Sequence, residues 1–359
     1  MSQKGVLPSQ IIREMLADGR IIADNVPEGQ IQPASLDLRL GNVAYRVRAS
    51  FLPGANRTVL ERLKEFSMHS IDLSDGAVLE KDCVYVVPLM ESLNLPAHIN
   101  AVANAKSSTG RLDLFTRLIT DQGTEFDRIE SGYSGPLYAE ISPRSFTVLA
   151  RPGMRLNQIR FRDGQVVLSD DELRAMDDEH ALVDSDAYID NGLGFSVDLT
   201  PNADGIVGYR AKPHTGLIDL DNIGHYDPEE FWEPVYAHNN GIILDPGAFY
   251  ILVSREAVHI PPSCAAEMAP YLAMVGEFRV HYAGFFDPGF GHEAAGGKGS
   301  RGVLEVRCHE APFALEHGQI VGRLVYERMT EVPDIIYGKD MGSNYQGQGL
   351  KLAKHFKTS

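Results

Sequence analysis

The chain has 359 residues, of which 49 are acidic and 33 basic, and its formal net charge is −16. A chain of this length predicts two domains, each with a core of its own. The acidic surface that this charge predicts would repel nucleic acid polymers and anionic membranes, so any phosphate-binding role should involve small nucleotides.

Two further features bear on where the protein works. Its three cysteines lie far apart in the sequence, which is typical of a reducing compartment and of a chain without a disulfide framework. No apolar run reaches the length of a membrane span, and the amino terminus lacks the apolar stretch of a signal peptide. We therefore expect a cytoplasmic protein.

Short strands separated by Gly, Pro, Asn and Asp predominate in the predicted secondary structure. Helices are few: a helical period covers Ser9 to Ala17 with Ser9 as its predicted N-cap, and Ser169 to Glu172 predict a capping box that opens a short acidic helix. The pattern favours a mainly β protein with two barrel-like or sandwich-like domains. Predicted strands include residues 84–89, 137–141, 249–253 and 303–306.

The segment from Lys106 to Arg111 places two cations and neighbouring hydroxyls around a glycine. Arginine offers a planar fork of donors, lysine a point charge, and serine and threonine short hydroxyl donors, a combination that favours an anion cradle. Glu140 lies in the otherwise uncharged run 136–141, where a carboxylate shielded from water could act as a general base. The same residues also fit a Ser/Thr turn with Glu140 in a salt bridge to an arginine.

The two halves of the chain repeat each other at a spacing of 165 positions. This register predicts an internal duplication, with an acidic junction at residues 163–191, a first domain at residues 1–191 and a second at 192–359. The second half does not repeat the cradle, because residues 271–276 contain neither a hydroxyl pair nor a cation. The matched pairs include Gly76/Gly241, Tyr85/Tyr250, Glu91/Glu256, Pro96/Pro261, Glu140/Glu305 and Gly153/Gly318.

A glycine-rich run at residues 291–302 looks like a phosphate loop but lacks the spacing of one. No Gly-Lys pair in it is followed by Ser or Thr, as a Walker motif requires. The run precedes Glu305 as an insertion in the repeat, so a flexible hairpin loop is the favoured interpretation.

Several of these segments together resemble the motifs of dCTP deaminases. Residues 106–112 are similar to the family's Arg-Ser-Ser-x-x-Arg-Leu signature, residues 127–135 to its His-Arg-Ile-Asp-Pro-Gly-Trp-x-Gly segment, and residues 151–154 to its Arg-Pro-Gly-Met turn. Residues 32–41 resemble its N-terminal strand, and Tyr337 with residues 344–348 its C-terminal lid. The resemblance implies two tandem dUTPase-like domains, each a distorted barrel of the β-clip type, and is greatest to the long, duplicated form.

The chain departs from the family pattern at several positions. Lys106 replaces the first arginine of the cradle, Glu130 replaces an aspartate, and Ser131 replaces a proline. Asn344 stands where the lid usually has a lysine, so Lys339 is the residue expected to supply that charge.

The resemblance implies hydrolytic deamination of dCTP to dUTP and ammonia, a step in pyrimidine deoxynucleotide biosynthesis. Glu140 would be the general base, Ser107 would orient the water or the amine, and Arg111 would hold the site in shape. Lys106 and Ser108 would face the phosphates, with Mg²⁺ bridging phosphate oxygens. Further substrate contacts are expected from Glu130, Asp287, Tyr337, Lys339, Tyr345 and Gln348.

Zinc-dependent deamination needs a Cys-x-x-Cys pair and a His-x-Glu, and the sequence contains neither, so we expect no zinc. A duplicated chain permits two arrangements of the remaining residues. Like halves could gather around a threefold axis with sites that use Glu140, or the cradle could meet Asp287 and Glu305 of the second half. Glu140 is favoured because its half keeps every element of the family pattern.

Two other functions fit the same residues. A bifunctional enzyme, or a plain dUTP diphosphatase, would also cleave the triphosphate, with Glu130 or Asp287 activating the water. A non-catalytic nucleotide sensor would bind dCTP without turnover, but the cradle, the glutamate and the lid together disfavour it. The sequence does not decide the oligomeric state or feedback by dTTP, for which a homo-oligomer and dTTP inhibition are the expectations.

Overall fold

The computed structural model describes residues 4–270, 278–281, 284–338 and 349–358. Within these ranges strands predominate and helices are short, as the spacing of turn residues predicts. The helices are α1 (Ser9–Ala17), α2 (Val59–Phe66), α3 (Ser107–Gly110), α4 (Asp170–His180) and α5 (Pro228–Phe231), with a 3-10 turn at Glu293–Ala295.

The strands divide into an earlier and a later series. The earlier strands are β1 (Gly5–Val6), β2 (Ile21–Ile22), β3 (Ile31–Gln32), β4 (Ser35–Arg39), β5 (Val43–Val47), β6 (Ser67–Asp72), β7 (Ala77–Leu79), β8 (Val84–Asn94), β9 (Ile99–Ala105), β10 (Leu114–Thr120), β11 (Arg128–Ile129), β12 (Ser134–Pro143), β13 (Val148–Ala150) and β14 (Arg155–Asp163). The later strands are β15 (Leu193–Asp198), β16 (Gly208–Ala211), β17 (Ile218–Asp219), β18 (Trp232–Val235), β19 (Gly241–Leu244), β20 (Phe249–Val258), β21 (Cys264–Pro270), β22 (Phe278–His281), β23 (Phe285–Phe286), β24 (Ser300–Cys308), β25 (Phe313–Glu316) and β26 (Ile320–Arg328).

The chain forms two compact units. The first takes the described residues up to Val166 together with Gly216–Ile223 and Met329–Asp334, and the second takes the rest. The chain therefore leaves the first unit within the acidic segment 163–191, earlier than the domain boundary that we predict at residue 192. The physical reason is that α4, predicted as part of the junction, buries Leu173 in the core of the second unit.

The first unit contains two main sheets and a small one. One sheet has the order β11-β9-β14-β4-β3, with β1 also on β14, and the other has the order β10-β12-β8-β5-β6, with β2 also on β8. Apolar residues of both sheets meet in one core, among them Ile159 and Phe161 from the first and Leu118 and Leu137 from the second. The small sheet, β17-β13-β7, takes its edge strand from the later half of the sequence.

The second unit is organised around a nine-stranded sheet. Its main path is β18-β16-β20-β15-β26-β21-β23, and β24 joins β20 to β22. Strands β19 and β25 form a separate pair. The core of this unit gathers buried residues from these strands, among them Phe195, Leu252 and Leu304. Each predicted strand lies inside an observed one, namely β8, β12, β20 and β24, and the mainly β fold is confirmed.

Matched positions of the repeat make the same hydrogen bond in both units. The Tyr85 hydroxyl accepts from the backbone N–H of Glu80 at 3.0 Å, and the Tyr250 hydroxyl accepts from that of Asp245 at 2.9 Å. Burial raises the pKa of both tyrosines, so both hydroxyls stay neutral at ordinary pH.

Of the two predicted helix starts, that of α4 is confirmed and that of α1 is displaced by one residue. The capping box of α4 is confirmed, since the Ser169 hydroxyl accepts from the N–H of Glu172 and the Glu172 carboxylate accepts from the N–H of Ser169. The prediction that Ser9 is the N-cap of α1 is wrong. Pro8 holds that position, and Ser9, inside the helix, turns its hydroxyl to the carboxylate of Asp334, to which it donates at 2.5 Å.

Helix α2 was not predicted, although the sequence carries a signal for it. Thr58 and Glu61 form a capping box of the same kind as that of α4. No helix in the described part of the chain combines the length and the apolar character needed to cross a membrane.

Candidate active site

The cradle segment forms the short helix α3 between β9 and β10. Lys106 is its N-cap, and the backbone N–H of Lys106 donates to the carbonyl of Leu156 on β14 at 2.9 Å. Ser108 and Arg111 are buried, whereas Ser107 is half-buried. The segment is thus a tight turn fixed to the neighbouring sheet, with its hydroxyls at the start of the helix.

The ammonium group of Lys106 contacts a carboxylate of its own unit. Its Nζ forms an ion pair with Oδ2 of Asp37, a residue of β4 that is only 1% exposed. Arg155 lies 3.6 Å from the same oxygen. Asp37 therefore holds the N-cap of the cradle against the sheet, and the charge of Lys106 is paired with that of Asp37.

Glu140 lies in the middle of β12, with 1% of its surface exposed. In the register of the sheet it faces Arg117 of β10 on one side and Val86 of β8 on the other. The Arg117 guanidinium donates to Oε1 of Glu140 from Nε at 3.1 Å and from Nη2 at 2.5 Å. The alternative interpretation of the sequence, a salt bridge to an arginine, is thus present in the structure.

The second oxygen of Glu140 is in a different situation. Oε2 is buried, and among the described residues no group hydrogen-bonds to it. A buried carboxylate oxygen without a partner is costly unless something else, such as a water or a ligand, satisfies it. Glu140 therefore presents one occupied and one available oxygen.

The face of the sheet that carries Glu140 is packed with apolar groups. Ile119 and Tyr138 lie on it and contact Val59 and Leu63 of α2 in one cluster. Burial raises the pKa of Tyr138 to about 12, so its hydroxyl is neutral at ordinary pH. Glu140 thus lies at the edge of a dry surface.

The cradle and Glu140 are joined through β10. Leu114, the first residue of that strand, pairs with Pro143 of β12, and Arg117 pairs with Glu140. Because only residues 111–113 separate α3 from β10, the cradle segment leads into the strand that pairs with the strand of Glu140.

Glu130 occupies a different environment from Glu140. Its side chain is 77% exposed and contacts Arg128 at 3.0 Å, beside β11. It is a surface carboxylate in an ion pair, although sequence reasoning groups it with the substrate contacts.

The remaining predicted residues belong to the second unit. Glu305 is a buried residue of β24 and faces Ile251 on one side and the register position of His281 on the other. Asp287 is also buried, just after β23. The N–H of Tyr337 donates to the carbonyl of Pro288, next to Asp287, at 2.8 Å.

Three predicted lid residues, Lys339, Tyr345 and Gln348, lie outside the described residues, as does Asn344. The described parts of the chain contain no group of three His, Cys, Asp or Glu side chains placed to hold a metal ion. All three cysteines, Cys83, Cys264 and Cys308, are described, and none of them forms a disulfide.

Two residues of the site were not found from the sequence. The sequence did not identify Arg117 as a site residue, because Arg117 meets Glu140 only through the pairing of β10 with β12, and the sequence alone does not fix that register. Asp37 did carry a signal, since it lies in the Ser-Leu-Asp-Leu segment that is echoed at residues 196–199.

The chain matches two protein-family models that together span most of its length. Residues 3–165 match the N-terminal domain, and residues 169–356 the C-terminal domain, of a family described as 2'-deoxycytidine 5'-triphosphate deaminase.

Individual relatives agree with the family match. A solved structure of 2'-deoxycytidine 5'-triphosphate deaminase from Agrobacterium tumefaciens is similar with a TM-score of 0.88 and 56% identity, covering 91% of this chain and 99% of that one. A Persephonella marina protein named "dCTP deaminase, dUMP-forming" is 28% identical over 44% of this chain and 82% of its own length. A Natronomonas pharaonis protein named "dCTP deaminase" is 27% identical over 44% of this chain and 80% of its own.

Proposed function

This chain belongs to the family of 2'-deoxycytidine 5'-triphosphate deaminases and is an enzyme of that family, and we propose that it hydrolyses dCTP to dUTP and ammonia with Glu140 as the general base. The observation that carries the assignment of the base is the state of its carboxylate. It is buried, one oxygen is held by Arg117, and the other has no hydrogen-bond partner among the described residues.

The reaction requires a series of proton transfers that one carboxylate can perform. Water adds to C4 of the cytosine, its first proton passes to Glu140, and Glu140 hands that proton to N3 as the C4=N3 double bond opens. Glu140 then takes the proton of the new C4 hydroxyl and delivers it to the exocyclic amine, so that the C4–N bond breaks, the C4 carbonyl forms, and ammonia leaves with dUTP as the other product. A buried group with an open oxygen suits this cycle, because no bulk water competes for the proton.

The cradle supplies the polar contacts of the proposal. Ser107, at the first turn of α3, orients the attacking water or the amine, and Arg111 offsets negative charge near the reacting ring. Ser108 and Lys106 serve the phosphates, with Asp37 keeping Lys106 in place. A Mg²⁺ ion carried by the substrate would offset the charge of the phosphates beside Lys106 and Ser108.

The proposed substrate contacts include Asp287 and Tyr337. The N–H of Tyr337 donates to the carbonyl of Pro288, the residue after Asp287, so these two residues of the second unit lie near each other in space. The exposed Glu130 of the first unit is a further proposed contact. Lys339, Tyr345 and Gln348 would act as lid residues over the triphosphate. Glu305 is the alternative general base, because it occupies the position of the repeat that matches Glu140 and is also buried.

A wider setting follows from the same assignment. We propose that the chain arose by internal duplication, works in the cytoplasm as a homo-oligomer, and supplies dUTP for pyrimidine deoxynucleotide synthesis with dTTP as an inhibitor. The acidic net charge and the free thiols support this setting.

A second candidate function is deamination followed by cleavage of the triphosphate to dUMP and pyrophosphate. It is favoured by the name of the Persephonella marina relative, which is described as dUMP-forming.

Product analysis tests both candidates. The purified chain is incubated with dCTP and Mg²⁺, and nucleotides, ammonia and pyrophosphate are measured over time. We expect dUTP and ammonia in equal amounts. Release of dUMP with pyrophosphate would establish the bifunctional enzyme instead, and absence of ammonia with bound dCTP would contradict catalysis altogether.

A further inference from the structure

Arg117 holds one oxygen of Glu140 and leaves the other untouched. Both donors of the guanidinium, Nε and Nη2, converge on Oε1. In the common forked pair, each carboxylate oxygen would accept one of the two bonds. Here the two oxygens are made unequal, since Oε1 accepts twice and Oε2 has no hydrogen-bond partner in the described structure.

The guanidinium itself is fixed from two further directions. Its central carbon lies 3.5 Å from the ring centroid of Phe126, a cation–π contact, and 4.8 Å from that of Phe115. Nη2 also donates to the hydroxyl of Ser50 at 2.9 Å. These contacts prevent the arginine from following the carboxylate, so the carboxylate must adopt the orientation that the arginine sets.

We propose that Arg117 is a positioning residue that directs the transferred proton to Oε2 of Glu140. This inference rests on the proposed function, in which Glu140 takes a proton from the attacking water. The water O–H bond breaks, its proton bonds to Oε2, and its oxygen bonds to C4 of the cytosine while the C4=N3 double bond opens and its electron pair moves to N3. Oε1 continues to accept from Arg117, so the carboxyl does not rotate, and Oε2 then returns the proton to the nucleotide as the carboxylate re-forms.

The two units differ at this position. Arg117 faces Glu140 in the register of β10 and β12, whereas His281 occupies the position that faces Glu305 in the register of β22 and β24. The cross-strand neighbour of the glutamate therefore differs between the two units.

The test compares three changes at Arg117 in the full chain. Arg117→Gln keeps a donor but loses the double contact and the charge, so kcat for ammonia release should fall about 100-fold, the scale of a misplaced catalytic group. KM for dCTP should stay within about twofold, because in this proposal Arg117 contacts the carboxylate of Glu140 and not the nucleotide. Arg117→Lys should recover part of kcat, and guanidinium ions should restore activity to Arg117→Ala.

The matched control is Arg57→Gln, which removes an arginine of the same unit from an exposed ion pair with Glu65. It should keep both kcat and KM. Full kcat in Arg117→Gln, while Glu140→Gln is inactive, would overturn the positioning role and leave the base assignment intact. Full activity in Glu140→Gln would overturn the base assignment itself. If Arg117→Gln does not fold, failure of guanidinium ions to raise kcat in folded Arg117→Ala would equally overturn the positioning role.

Discussion

Lys106 and Asp37 show, at the scale of single residues, that a cation of the cradle segment can be paired within its own unit. The ammonium lies on a carboxylate that is almost fully buried. The pair fixes the start of α3 and keeps a buried charge from standing alone. The sequence predicted the charge of Lys106 correctly but could not reveal its partner, since Asp37 lies 69 residues away along the chain.

Removing that partner should destabilise the first unit. In Asp37→Asn the lysine loses its counter-charge, and we expect the free energy of unfolding to fall by about 1–3 kcal/mol. Asp75→Asn makes the same chemical change at an exposed position of the same unit and should have little effect. Urea denaturation of the three proteins measures the difference. Equal midpoints for both variants would show that the pair does not hold the cradle.

The residues of the site differ in how far the sequence could identify them. Glu140 was recognisable because a lone charge inside an apolar strand is unusual. Its ion pair with Arg117 was foreseen only as a type of contact. The cause is that cross-strand pairing depends on the register of β10 against β12, which side-chain patterns alone do not set to the residue.

At the scale of elements, helix α4 depends on a capping box that is visible in the sequence. Ser169 and Glu172 each satisfy a backbone N–H of the other, and Arg328 forms an ion pair with Glu172 at 2.8 Å. Two contacts lower the pKa of Glu172 from its ordinary 4.5 to about 2. The larger effect comes from the hydrogen bond of the Ser169 N–H, and the next from the hydrogen bond of Arg328.

This lowered pKa predicts a pH-dependent contribution to stability. Because the folded value lies below the unfolded one, the charged carboxylate stabilises the helix fully above pH 4.5, and the contribution is lost as the pH falls towards 2. Glu172→Gln should therefore lower the urea midpoint at pH 7 and converge with the parent protein in acid. Glu179→Gln, at an exposed position of the same helix, is the control. A constant difference at all pH values would contradict the linkage.

The same kind of signal was missed at α2 and misassigned at α1. Thr58 and Glu61 have the spacing of a capping box, but the helix they open has only eight residues. Ser9 has the side chain of an N-cap, yet Pro8 before it suits the start of a helix as well, and Asp334 draws the serine hydroxyl away. Short helices are decided by such tertiary contacts more than by propensity.

At the scale of the whole molecule, the compact units do not follow the two halves of the sequence. Residues Gly216–Ile223 belong to the first unit, where β17 runs parallel to β13. Arg151 forms a forked pair with Asp219, at 2.6 and 2.9 Å, and also contacts Asp221 at 2.9 Å. No local sequence pattern predicts that this later segment joins the first unit, because its place depends on pairing between strands that are distant in the sequence.

The forked pair should anchor this segment. Asp219→Asn removes a charge partner from both guanidinium donors, so we expect a lower thermal midpoint for the full chain. Asp221→Asn loses a single contact on a more exposed side chain and should lower it less. Calorimetry at low and at high salt compares them. An equal or reversed order of the two midpoints would show that the fork does not hold the segment.

The measurement that bears most directly on the proposed mechanism is ammonia release from dCTP by Glu140→Gln and Glu305→Gln, each compared with the parent chain. Both changes preserve the shape of a buried side chain and remove only its ability to take a proton. We expect kcat of Glu140→Gln to fall by about 10²–10⁴-fold and that of Glu305→Gln to stay within about threefold. Loss of activity in Glu305→Gln alone would contradict the assignment and place the reacting carboxylate in the second unit.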